Sequence, residues 1–72
     1  MNDSTVGAYL RGLREFGRAT LLEGGRVIDL SAATMSGRER GFGKFSDEQI
    51  AKLEKFYSAR IQARLEQITK SL

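Results

Sequence analysis

Apolar residues recur at three- and four-residue intervals in two blocks, one near each end of this chain. Val6, Tyr9, Leu10, Leu13 and Phe16 share one face and predict a helix from Thr5 to about Phe16. Arg11, Arg14 and Arg18 follow on its flank, a basic stripe that suits a solvated face as well as a partner surface. In the second block Ile50, Leu53, Tyr57, Ile61, Leu65, Ile68 and Leu72 form another stripe, predicting an amphipathic helix of up to about 24 residues. Ser46 with Gln49 forms a capping box at its start, and Phe45 with Ile50 forms a hydrophobic staple around it. The last three turns of this helix are expected to outrun what the rest of so short a chain can cover.

The stretch between the blocks, RATLLEGGRVIDLSAATMSGRERG, fits two descriptions. Val27, Ile28 and Leu30 would suit a short strand. Two short helices fit equally, the second opened by Ser31 as N-cap and closed at Gly41.

Composition narrows the function. Seventy-two residues make one domain, with 40% apolar and 29% charged residues, a balance typical of globular chains. Cysteine and histidine are absent, which excludes a disulfide framework, a thiolate nucleophile, the usual zinc ligands and histidine acid–base catalysis. No paired carboxylates stand at metal-binding spacing and no nucleophile stands with a base, so the chain is not expected to be an enzyme or to hold a cofactor. No apolar run is long enough to span a membrane and the start is unlike a signal peptide. A cytoplasmic setting is expected. A net charge of +3 and a pI of about 9.7 permit a polyanionic partner without requiring one.

SGRERGFGKFSD, residues 36–47, sets three cations and three glycines among two phenylalanines. Arg40-Gly41-Phe42-Gly43 is similar to the core of an RNA-recognition strand. That strand needs further aromatics, where Lys44, Phe45 and the cap at Ser46 follow instead, and the remaining chain cannot build its sheet. A flexible arginine–glycine linker would need repeats that are missing.

Over its whole middle, from Leu13 to Ser46, the chain resembles the Cro/repressor-type (XRE) helix-turn-helix family without a gap. Leu13-Arg14-Glu15 matches the end of the first helix, and Thr20 with Glu23 the start of the second. Ile28 to Ser31 match the turn, Ser36-x-x-Glu39-x-Gly41 the end of the recognition helix, and Ser46 the start of the next helix. The resemblance implies an all-α fold: a small helix-turn-helix domain of four to five helices over residues 1–72, with a long C-terminal helix. In such an arrangement Leu13, Leu21, Ile28, Leu30 and Met35 point inward.

The same resemblance assigns roles. Ala32, Ala33, Thr34 and Gly37 fall where residues face DNA bases, although alanine and glycine offer no bidentate hydrogen bonds. Ser36, Arg38, Arg40 and Lys44 fall where phosphates are held. Arg14 and Glu39 match a structural ion pair. The sequence departs from the pattern at Leu21, where glutamine is frequent, and at Arg38, often apolar. It departs again at Gly24 and Gly25, which would leave the second helix short or distorted. The final helix also continues where the family breaks, so residues 57–72, with Tyr57, Ile61, Leu65 and Ile68, are expected to form a dimer interface. The implied function is a sequence-specific regulator of transcription, of phage repressor or Cro type, binding double-stranded DNA as a homodimer. The alternative is a protein-interaction module of the same shape, antitoxin- or inhibitor-like, acting through its long helix.

Overall fold

The computed structural model describes residues 2–72. Its elements are α1 (Asp3–Phe16), α2 (Leu21–Val27), α3 (Ala32–Glu39) and α4 (Asp47–Lys70), with no strand among the described residues. The stretch from Arg26 to Leu30 is therefore the end of α2 and a turn.

Each helix begins where a side chain satisfies its first free N–H groups. The Asn2 side chain accepts from the Thr5 amide, and that of Ser31 accepts from the Thr34 amide. Thr20 with Glu23 and Ser46 with Gln49 form reciprocal capping boxes at α2 and α4. The helix ends are equally definite. Beyond Gly17, Arg18 takes a left-handed conformation (φ 55°), and Asp29 does the same (φ 60°) in the turn from α2 to α3. There the Leu30 amide donates back to the Gly25 carbonyl at 2.8 Å. At the end of α3, Gly41 is left-handed (φ 93°). Its amide donates to the Arg38 carbonyl (3.1 Å) and that of Phe42 to the Gly37 carbonyl (2.9 Å), which is a Schellman cap.

Leu10, Met35, Leu53 and Tyr57 are fully buried, and Ala19, Ile28 and Phe45 complete the core. Val6, Leu13, Leu21, Leu30 and Ile50 pack around it. Three glycines let the helices approach main chain to main chain or ring to main chain. A methyl group at Gly7 would strike the Glu39 carbonyl, at Gly24 the Tyr57 hydroxyl, and at Gly25 the Leu30 carbonyl. This corrects half of the expectation for α2, which is short, as expected, but regular. Its glycines do not distort it; α2 is a capped seven-residue helix in which they make room for Tyr57 and for the turn.

Tyr57 itself is a second correction. It is wholly buried in its own chain's core, because the α4 stripe meets α2 at that turn, so it takes no part in a surface. The stripe leaves the body only beyond it. Ile61 is half-buried against Gly17, Leu65 and Ile68 are about half exposed, and Leu72 is fully exposed. The molecule measures 41 × 23 × 18 Å; α4, about 36 Å long at 1.5 Å per residue, accounts for the long dimension. No helix is long and apolar enough to cross a membrane.

Candidate nucleic-acid interface

α3 is fastened by its inner face. Met35 and Glu39, one turn apart, are buried. The Glu39 carboxylate accepts two hydrogen bonds from Arg14, at 2.8 and 3.1 Å, and Arg14 donates a third to the Ala19 carbonyl at 3.0 Å. Hydrogen bonding to Glu39 holds the Arg14 guanidinium above its usual range, against the desolvation that would lower it. The pair ties the last turn of α1 to α3, as the sequence implied.

Helical periodicity sets Ala33 and Gly37 opposite that inner face, with Arg40 beside them. Ala33, Thr34 and Arg40 are exposed, while Ser36, Gly37 and Arg38 are half-buried. Ala32 is half-buried too. It lies in the first turn on the side of Met35, so of the four residues assigned to bases it is turned least outward.

A cationic edge lies along each side of this face. Toward α1, a shallow cleft of about 260 Å³ is lined by Arg11, Arg14, Leu21, Ser36, Glu39 and Arg40. Glu39 is neutralised by Arg14 within it, and Arg11 has only a 3.5 Å ion pair with exposed Glu15. Arg11 is a residue the sequence reading left on a generic basic stripe. Only the contact between α1 and α3 reveals that it faces the same cleft as Ser36 and Arg40. On the other edge lies the loop from Arg40 to Ser46, with Phe42, Gly43 and Lys44 exposed. Arg38, assigned to a phosphate, is already engaged within the chain. Its guanidinium donates to the Lys44 carbonyl and, at 3.4 Å, to Gln49 Oε1, and stands 6.0 Å from the Phe45 ring. It braces the loop. The Arg40 guanidinium donates to the Ser36 carbonyl of its own helix and stands beside the Phe42 ring.

From Ser31 to Ser46 the sole acidic residue is Glu39. Among the described residues neither Arg40 nor Lys44 makes an ion pair, and no cluster of histidine, cysteine or carboxylate side chains could hold a metal ion. The arrangement is that of a helix face with small side chains, Ala33, Thr34 and Gly37, bordered by cations. The residues assigned to a dimer interface are elsewhere, on α4. Of these the fold buries Tyr57, partly covers Ile61 and leaves Leu65 and Ile68 accessible.

Comparison with family models, curated proteins and solved structures gives no match to this chain.

Proposed function

We propose that this chain is a sequence-specific DNA-binding regulator of transcription, of the phage repressor or Cro kind, working in the cytoplasm as a homodimer. The observation that carries the reading is the outward face of α3. Ala33 and Gly37 give it almost no bulk, so the helix backbone can sit deep in a major groove about 12 Å wide. Arg11 and Arg40 on one edge and exposed Lys44 in the loop supply cations for the phosphates that border such a groove. The tight turn at Asp29 supports it as well, since it joins α2 to α3 with the two helices packed together, the connection of a helix-turn-helix. Beyond the body, Leu65, Ile68 and Leu72 offer an apolar strip for a second copy, which would set two α3 helices against two half-sites.

A mobility-shift titration over a range of salt tests this. The expected outcome is an affinity that falls steeply with salt, by a log–log slope of roughly 0.9 per phosphate contacted. Arg40→Ala and Lys44→Ala should each flatten that slope by about one. Failure to retard any duplex at low salt sinks the reading. It would favour the second one, a module that binds a protein through the overhanging strip of α4, for which the exposure of Leu65 and Ile68 is the specific support.

A further inference from the structure

The loop between α3 and α4 displays a phenylalanine that the fold does not use. Phe42 is 74% exposed, while Phe45, three residues on, fills the core at that corner. The cap of α3 explains the exposure. In a Schellman cap, the apolar residue after the left-handed glycine ordinarily packs on the side chain five residues before it. Here that pair is Phe42 and Gly37, and Gly37 has no side chain to offer. A methyl group at Gly37 would lie 3.9 Å from the Phe42 Cβ, so the ring is rooted against the outward face of α3.

Nor is the ring loosely held. Gly41 and Gly43, at φ 93° and 114°, fix the chain on both sides of it. Gly41 lies against Ser4 of α1, and Gly43 against the Arg38 side chain, whose guanidinium is bound to the Lys44 carbonyl. The Arg40 guanidinium stands 5.6 Å from the ring centroid. An aromatic ring on a braced loop loses little freedom when it binds.

We propose that Phe42 is an apolar wedge for duplex DNA, entering at the lip of the groove that receives α3 and opening one base step there. This rests on the DNA-binding reading and deepens it by locating a source of specificity. Ala33 and Gly37 offer base edges no hydrogen-bonding side chain, which leaves Thr34 as the polar member of that face, so direct readout by α3 is poor. A wedge selects differently, by how readily a step unstacks, and pyrimidine–purine steps (TA, CA/TG) yield most easily. Arg40 and Lys44, on either side in the chain, supply cations for the phosphates of the opened step. That flanking charge commits the ring to a polyanion rather than to an apolar groove on a protein.

The test compares the full chain with Phe42→Ala and Phe42→Leu. Duplexes are selected from a random pool by the unsubstituted chain. Bending is then read by moving the site along a fragment, and unstacking by 2-aminopurine fluorescence at the step. The expected result is enrichment of TA or CA/TG at one fixed offset from the contacted segment. Phe42→Ala should bind about tenfold more weakly, lose both the bend and the enrichment, and keep the salt slope, since no charge is removed. Phe42→Leu should fall between. Unchanged thermal unfolding checks that each variant folds. Equal affinity and bend for Phe42→Ala would overturn the wedge while leaving DNA binding intact. If the unsubstituted chain retards no duplex at low salt, the wedge and the reading beneath it fall together.

Discussion

Among the described residues, the Tyr57 hydroxyl is the buried side-chain polar atom without a hydrogen-bond partner. Burial pushes its pKa up from 10.0 to about 12, and the nearby Glu39 carboxylate adds to the rise. An unfolded chain ionises this phenol near its ordinary value, so the contribution to stability is whole below pH 10. It is lost as pH rises from there toward about 12. Tyr57→Phe should abolish that share of the alkaline loss, leaving the smaller share of Tyr9, whose hydroxyl is held by Glu54. Because an unsatisfied buried hydroxyl is itself unfavourable, the variant should also gain about 1 kcal/mol at neutral pH. Denaturant midpoints below and above pH 10 measure both effects. Arg14 and Glu39 pose the complementary case, a buried pair with every charge answered. Arg14→Met alone should cost about 3–5 kcal/mol by stranding the carboxylate, and adding Glu39→Met should recover much of that. Additive losses in the double-mutant cycle would contradict a coupled pair.

At the scale of the helix, glycine carries opposite meanings in one element. Gly12 faces open space, whereas Gly7 lies against the carbonyls of Arg38 and Glu39. Gly12→Ala should therefore stabilise α1 by up to about 1 kcal/mol, while Gly7→Ala should destabilise by about 1–3 kcal/mol by prising α3 away. Thermal unfolding of the two variants decides the matter; shifts of the same sign would contradict the packing. The contrast also marks how far the sequence was legible. Caps and periodicity are local, so Ser31, Ser46 with Gln49, Gly41 and both apolar stripes announced where three of the helices begin or end. Gly24 and Gly25 pointed to a short α2, which it is, but their packing role lies in Tyr57 and in the Leu30 carbonyl, contacts invisible to a window on α2. For the candidate site, Arg40 and Lys44 are exposed as the sequence suggested, and Arg14 with Glu39 pair as expected. That Arg38 is held by the Lys44 carbonyl, and that Arg11 lines the cleft with Arg40, depend on loop conformation and helix packing, which local sequence does not show.

For the molecule as a whole, the outlying third of α4 is the part whose burial the chain does not supply. Arg64 donates to the Phe16 carbonyl at 2.6 Å and covers the Phe16 ring at 5.1 Å; past it no tertiary hydrogen bond or ion pair is formed among the described residues. Deleting residues 65–72 should leave the unfolding temperature almost unchanged. If the strip joins two copies, sedimentation should then find single chains where the full-length protein sediments as a pair. DNA affinity should fall by at least about tenfold as one half-site contact is lost. A full-length protein that sediments as one chain at every concentration would remove the homodimer from the proposal.

The two ends of α3 are positioned by close main-chain approaches at Gly25 and Gly7, the second end also by the carboxylate of Glu39, and its middle by Met35. Thr34 and Gly37 take part only through the caps at the two ends of α3, and no side chain of Ala33, Thr34 or Gly37 packs in the core. Those three positions are thus blank type in a locked frame: new letters can be set there, in nature or at the bench, without disturbing the press.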